Sequence, residues 1–201
     1  RPNIGIVTAV GDQHLATFGS VEKVYETKYE LIKGLSADGL AVFSADNGHT
    51  LKMYESTQGN KMLAGGRSDC DVSYGDVSFG AEGTSFTLRY GDESVAVVSK
   101  LLGRHIPSLV SVCAATALKL GVGMDDIVLA VGELEPVAHR LQVIKNGDVT
   151  VIDDAYNSNT KGAEIALEVL GAFDGMRIVI TPGLVELGDA EQNANMEMGR
   201  K

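Results

Sequence analysis

Short β-branched apolar runs alternate with amphipathic stretches over the first third of the chain. Ile4-Gly5-Ile6-Val7-Thr8-Ala9-Val10, closed by Gly11, is brief enough to predict a buried parallel strand rather than a helix. From Ser20 the period changes: Val21, Val24, Tyr25, Lys28, Leu31 and Ile32 recur at helical spacing until Gly34, with Ser20 placed to cap. Lys28 therefore lies on or beside the apolar face. Leu40-Ala41-Val42-Phe43-Ser44 predicts the next strand, 50–56 a helix, and Lys61-Met62-Leu63-Ala64 a further strand. Strand–helix–strand alternation of this kind argues for an α/β fold with a parallel sheet.

Between 69 and 100 the pattern becomes alternating and glycine-punctuated, as in Val72-Ser73-Tyr74, Val77-Ser78-Phe79, Ser85-Phe86-Thr87-Leu88 and Val95-Ala96-Val97-Val98, which predicts antiparallel hairpins. Two helices are expected next, 107–121 with Pro107 in its first turn and Gly121 at its end, then 125–132. Glu133-Leu134-Glu135-Pro136 breaks the pattern, so a domain boundary is placed there, dividing the chain into 1–135 and 136–201. The second part should hold two strands, a helix over 161–171, a strand over 176–181 and a last helix from about 189. There are no repeats.

The segment around that boundary carries the most suggestive chemistry. Val151-Ile152-Asp153-Asp154-Ala155-Tyr156-Asn157-Ser158-Asn159 is an apolar strand running into carboxylates and asparagines, and open α/β sheets bind ligands at such ends. Arg140 stands upstream as a planar cation suited to phosphate. The plainer reading is a β-hairpin turning at Asn146-Gly147-Asp148, with Asp153 and Asp154 capping the following helix. Both readings stand at this point.

Composition narrows the partners. A net charge of −10 over 201 residues argues against nucleic acid, whose binding needs clustered Lys and Arg, but not against a nucleotide, for which a few local cations suffice. Two cysteines, Cys70 and Cys113, fit neither a disulfide framework nor a zinc site, which points to a reducing cytoplasm. No stretch approaches the roughly 18 apolar residues of a membrane span, so no membrane partner is expected. The chain opens on Arg1-Pro2 and closes on a helical run, 190–201, and reads as a piece of something longer.

The run PVAHRLQVIKNGDVTVIDDAYNSN, followed by Thr181-Pro182-Gly183-Leu184-Val185-Glu186-Leu187-Gly188, resembles the junction between the central and C-terminal domains of the Mur ligases. Upstream, in the same order as in that family, stand Gly11-Asp12-Gln13-His14-Leu15, Phe18-Gly19-Ser20, Thr27-Lys28, Ser44-Ala45-Asp46, Gly83-Thr84-Ser85-Phe86-Thr87-Leu88 and Leu102-Gly103-Arg104-His105. The subgroup it resembles is the MurF type, which joins D-alanyl-D-alanine to a UDP-N-acetylmuramoyl-tripeptide. The resemblance implies the second half of a central ATP-binding domain with a hairpin subdomain over 1–135, and the first part of a Rossmann-like C-terminal domain over 136–201. It implies a cytoplasmic, monomeric parent enzyme of peptidoglycan precursor synthesis that uses ATP and Mg2+ and proceeds through an acyl phosphate.

Carried over position by position, the resemblance makes His14 and Lys28 ligands of a magnesium ion, Lys28 as a carbamate formed with carbon dioxide. Arg140 falls where the family holds ATP phosphate, Asp154 where it holds the ribose hydroxyls, and Asn157, Asn159 and His105 beside the nucleotide; His14, Lys28 and Arg140 are the catalytic set. His139 is expected to shape the loop and His49 to lie on the surface. Four positions depart from the family: Ile106 and Leu109 replace asparagines that meet the adenine, Thr160 replaces a proline and Ser44 an asparagine. No Gly-x-x-Gly-Lys-Thr phosphate loop occurs in the 201 residues, so an isolated fragment is expected to be inactive and to self-associate through an uncovered sheet edge. Two rivals remain, a ligase for another amine of the folylpolyglutamate or cyanophycin synthetase type, and a degenerate, non-catalytic binding module.

Overall fold

The computed structural model describes residues 1–11, 15–157 and 159–201, leaving aside the side chains of Leu15 and Ala16. Among the described residues, β1 (Ile4–Val7), β2 (Leu40–Ser44) and β3 (Lys61–Gly65) run parallel, with α1 (Leu15–Phe18) and α2 (Val21–Lys33) between the first two and α3 (Gly48–Ser56) between the last two. β3 also pairs in parallel with the start of β4 (Val72–Gly80), and β4 then folds antiparallel onto β5 (Gly83–Tyr90) and β5 onto β6 (Glu93–Ser99). The strand order is β1-β2-β3-β4-β5-β6. The two short runs expected at 72–79 are one strand, interrupted by a register shift between Gly75 and Ser78 where Asp76 takes a left-handed φ of 54°.

Every residue of β2 is buried because both sheet faces are covered. Leu40 and Val42 face a core built with α4 (Ile106–Lys119) and α5 (Met124–Glu133), through Ile106, Val110, Ala114, Ile127 and Val131. Ala41 and Phe43 face the other way, against Val24 and Ile32 of α2 and Met53 of α3. The helix starts follow local chemistry: Ser20 accepts from the Lys23 N–H at the head of α2, and Gly34 ends it. Among the described residues β1 is an end strand of this sheet, and Ile6 is 39% exposed.

Beyond Glu133 the expected hairpin forms, without the expected aspartate caps. β7 (Gln142–Asn146) and β8 (Val149–Asp153) form a separate antiparallel hairpin turning at Gly147, whose φ is 60°. The cap of α6 (Thr160–Gly171) is Asn159, which accepts from the Gly162 N–H at 2.9 Å, and neither Asp153 nor Asp154 takes that part. The strand expected over 176–181 does not form: Met176 is 88% and Ile180 95% exposed, and no described strand offers these residues a ladder. β propensity without a neighbouring strand leaves extended chain. A 3-10 turn at Gly188–Ala190 and α7 (Glu191–Met198) close the chain, with Asn195 exchanging hydrogen bonds with both the N–H and the carbonyl of Leu184.

The hairpin and α6 meet the large sheet through a few side chains. Arg104 donates from Nε to Glu168 at 2.6 Å while its guanidinium lies 5.2 Å over the Phe79 ring. Lys100 pairs with Glu135, and Val169, 1% exposed, packs where the chain turns at Gly103.

Candidate functional site

Three groups of polar residues gather where the sequence placed chemistry. The first lies past the C-terminal end of β1. The Lys28 ammonium, on α2, donates to the Ala9 carbonyl at 2.8 Å. Asn47 grips the next residue by both backbone groups: its Nδ2 donates to the Val10 carbonyl at 2.9 Å and its Oδ1 accepts the Val10 N–H at 3.3 Å. The same Oδ1 accepts from the N–H groups of His49 and Thr50, capping α3. Asn47 thus fixes the exit of β1 while starting a helix. Sequence reading passed over it, although an Asn just ahead of a helical run is a recognisable cap.

Burial pushes Lys28 below the usual lysine range, which favours the neutral amine. That is the form able to take up carbon dioxide, so Lys28 fits the part of a carbamate ligand. Its expected partner, His14, lies outside the described residues, and no cluster of three or more His, Cys, Asp or Glu able to hold a metal occurs among the described ones. His49, expected on the surface, is half-buried against the Tyr25 ring, 6.2 Å between centroids.

Next to this group, Asp46 links the ends of β2 and β3, accepting from the Gly66 N–H at 2.9 Å and the Tyr74 hydroxyl at 3.0 Å. Burial and that nearby carboxylate push the Tyr74 hydroxyl well above its ordinary pKa, so it stays a donor. Ser44, at the position that departs from the family, contacts Ser108 of α4 at 3.4 Å.

The second group is the loop that enters β7 together with the one that leaves β8. His139 and Leu141 both adopt left-handed backbone, φ 63° and 46°, a conformation that costs a non-glycine residue on the order of 1 kcal/mol. The strain is held by cross-bonds. His139 Nδ1 lies 2.7 Å from Asp153 Oδ2, the His139 carbonyl accepts from the Tyr156 N–H at 3.2 Å, and the Leu141 N–H donates to Asp154 Oδ1 at 3.1 Å. Between the two strained residues Arg140 lays its guanidinium over the Tyr156 ring, 4.1 Å from the centroid. No carboxylate among the described residues forms an ion pair with it.

The two aspartates differ electrostatically. The His139 hydrogen bond, with help from the Ala155 N–H, holds the Asp153 carboxyl below the usual range. Burial pushes Asp154 upward, against the pull of the Leu141 N–H and Arg140. Asn157 is exposed beside Tyr156, whereas Asn159 has its oxygen committed to the α6 cap. Arg140 and Asn157 are exposed and Asp154 is half-buried; Tyr156, which sequence reading did not single out, and Asp153, which it placed as a cap, also contribute.

The third group is the entry to α4. Gly103, at φ 114°, is a position where a Cβ would come within 2.8 Å of His105 Nδ1, so only glycine lets the imidazole fold back there. His105 Nδ1 is buried and has no hydrogen-bond partner among the described residues. Burial lowers its basicity, with Glu168 pulling the other way. Ile106 and Leu109, the two apolar departures, part company: Ile106 is 5% exposed within the core, while Leu109 is 44% exposed. Only Leu109 is in a position to meet a ligand.

A half-parallel α/β sheet, polar groups collected past its C-terminal strand ends, and an arginine-bearing loop just beyond define the class: the chain belongs to the Mur ligases, its residues 1–117 matching the Mur ligase middle domain. Among curated relatives, it is 30% identical to the UDP-N-acetylmuramoyl-tripeptide--D-alanyl-D-alanine ligase of Escherichia coli K12, over 99% of this chain and 45% of that protein. It is 35% identical to the enzyme of the same name from Mycobacterium tuberculosis H37Rv, over 84% of this chain and 34% of that protein. A crystal structure of MurF from Acinetobacter baumannii superposes with a TM-score of 0.92 at 24% identity, covering 99% of this chain and 44% of that one. MurF from Thermotoga maritima in complex with ADP superposes at 0.85 and 23% identity, covering 99% and 46%. The chain thus spans less than half the length of these relatives.

Proposed function

We propose that the protein represented by this sequence is an ATP-dependent carboxylate–amine ligase of peptidoglycan precursor synthesis, joining D-alanyl-D-alanine to a UDP-N-acetylmuramoyl-tripeptide in the cytoplasm. The observation that carries this reading is Arg140, presented on Tyr156 with no ion-pair partner among the described residues, beside Asp154. A fixed guanidinium next to a carboxylate that can accept two hydroxyls suits the phosphate and ribose of one nucleotide. Arg140 binds phosphate, Asp154 the ribose, and Asn157, Asn159 and His105 border the nucleotide.

Lys28, as a carbamate, and His14 would hold Mg2+, which supplies positive charge where the triphosphate and an acyl phosphate concentrate negative charge. Lys28 keeps its head group at the end of β1, and Asn47 holds that strand exit in place. The carboxylate of the acceptor peptide is activated as an acyl phosphate and the incoming amine displaces phosphate. Residues 1–135 supply the metal ligands and His105, and residues 136–201 supply Arg140, Asp154, Asn157 and Asn159. These 201 residues contain no phosphate-loop pattern, and by themselves they turn over no ATP.

The direct test is phosphate release that requires ATP, D-alanyl-D-alanine and UDP-N-acetylmuramoyl-tripeptide together, measured on the protein expressed from its own gene. Release with only two of the three, or with another amine in place of the dipeptide, overturns the substrate assignment. One observation favours a second reading, a binding module without catalysis: apolar side chains stand at both positions where the resembled family has adenine-contacting asparagines. That reading predicts no release of phosphate with all three substrates present.

A further inference from the structure

Two carboxylates, Asp153 and Asp154, follow Arg140 in the chain, and it forms an ion pair with neither. Asp154 is the carboxylate that feels the guanidinium charge, whereas Asp153 is engaged by the loop itself. In the structure its two oxygens are spoken for: Oδ2 by His139 Nδ1 at 2.7 Å and Oδ1 by the Ala155 N–H at 3.1 Å. His139 does this from a left-handed backbone, φ 63°, that a residue without a special reason avoids. The His139 carbonyl, accepting from the Tyr156 N–H at 3.2 Å, also fixes the residue whose ring carries Arg140.

We propose that His139 and Asp153 form a clasp that holds this loop and positions Arg140 on Tyr156, leaving the guanidinium open to the phosphates of a nucleotide. His139 is a positioning residue, touching no substrate itself. The proposal rests on the reading of Arg140 as a nucleotide-binding residue.

Two substitutions separate the clasp from mere tolerance of the backbone angle. His139→Gly and His139→Asn both accept left-handed φ, but only the asparagine amide can still donate to Asp153. In the protein expressed from its own gene, His139→Gly should weaken Mg-ATP binding by about fivefold, the scale of one exposed charged contact, and His139→Asn should stay near wild type. Asp153→Ala should weaken binding to the same extent, and adding it to His139→Gly should weaken it no further, since both break one clasp. Wild-type affinity in His139→Gly, or a double variant weaker than His139→Gly alone, overturns the clasp. Arg140→Ala serves as the reference: unchanged affinity there removes the nucleotide reading, and the clasp is then decided by NMR. The Arg140 side-chain protons should carry an upfield ring-current shift from Tyr156 that is lost in His139→Gly. Persistence of that shift in His139→Gly shows that His139 does not position Arg140.

Discussion

The Lys28 ammonium donates to the Ala9 carbonyl at 2.8 Å, so the side chain expected to become a carbamate is already stationed at the end of β1, on a backbone oxygen rather than a carboxylate. Among the described residues no carboxylate pairs with Lys28, and burial shifts it toward the neutral amine. Lys28→Arg keeps the charge and can still reach a carbonyl, but guanidinium forms no carbamate. Ligation should be lost with the melting temperature nearly unchanged. A carbonyl resonance from labelled bicarbonate, present in the wild type and absent in the variant, checks the assignment independently of activity.

Asn47 combines a helix cap with two hydrogen bonds to Val10, and a side chain with that many backbone partners should be hard to replace. Asn47→Ala is expected to cost about 1 to 2 kcal/mol, the upper range for a cap. Asn47→Asp should recover the cap but not the donation to Val10. Denaturant unfolding of the three proteins ranks them.

The two apolar departures at the start of α4 make opposite predictions. Ile106→Asn buries an amide in the core and should destabilise by roughly 3 kcal/mol or more. Leu109→Asn, on the exposed side, should leave stability within about 0.5 kcal/mol of wild type. Any gain in adenine affinity from restoring asparagine is therefore expected at 109 alone, readable by calorimetry with ATP against a nucleotide of another base.

Asp153 sets part of the acid limb of stability. Its carboxyl is held below the ordinary value by His139 and the Ala155 N–H, so its contribution is present above the unfolded value near 4 and lost as pH falls through the folded value. Asp153→Asn removes that dependence. Thermal melts taken between about pH 5 and pH 2 should fall less steeply for the variant than for the wild type.

The parallel strands, both helical layers and the hairpins were legible in sequence because each repeats a period over several residues, as Val24 to Ile32 and Ser85 to Leu88 do. The loop around Arg140 was legible only as a set of residue types. That Asp153 serves His139, that Tyr156 supports Arg140 and that Asn47 reaches back to Val10 are contacts across 14, 16 and 37 positions, set by tertiary geometry with no local signature. The strand expected over 176–181 failed for the complementary reason. Ile178, Val179 and Ile180 have the composition of a strand, but a strand is a relation to a neighbour, and none among the described residues pairs with them.

That same run bears on how the protein behaves in a tube. Met176-Arg177-Ile178-Val179-Ile180-Thr181 is a six-residue β-prone segment with one charge, and the Arg177 Nε is turned back to donate to the Phe173 carbonyl at 3.1 Å. Segments of this composition seed steric zippers when they stay extended and wet. Fibre growth is a matter of encounters between molecules, so the working life of a solution would be set by how crowded it is, well below any temperature at which the sheet itself lets go.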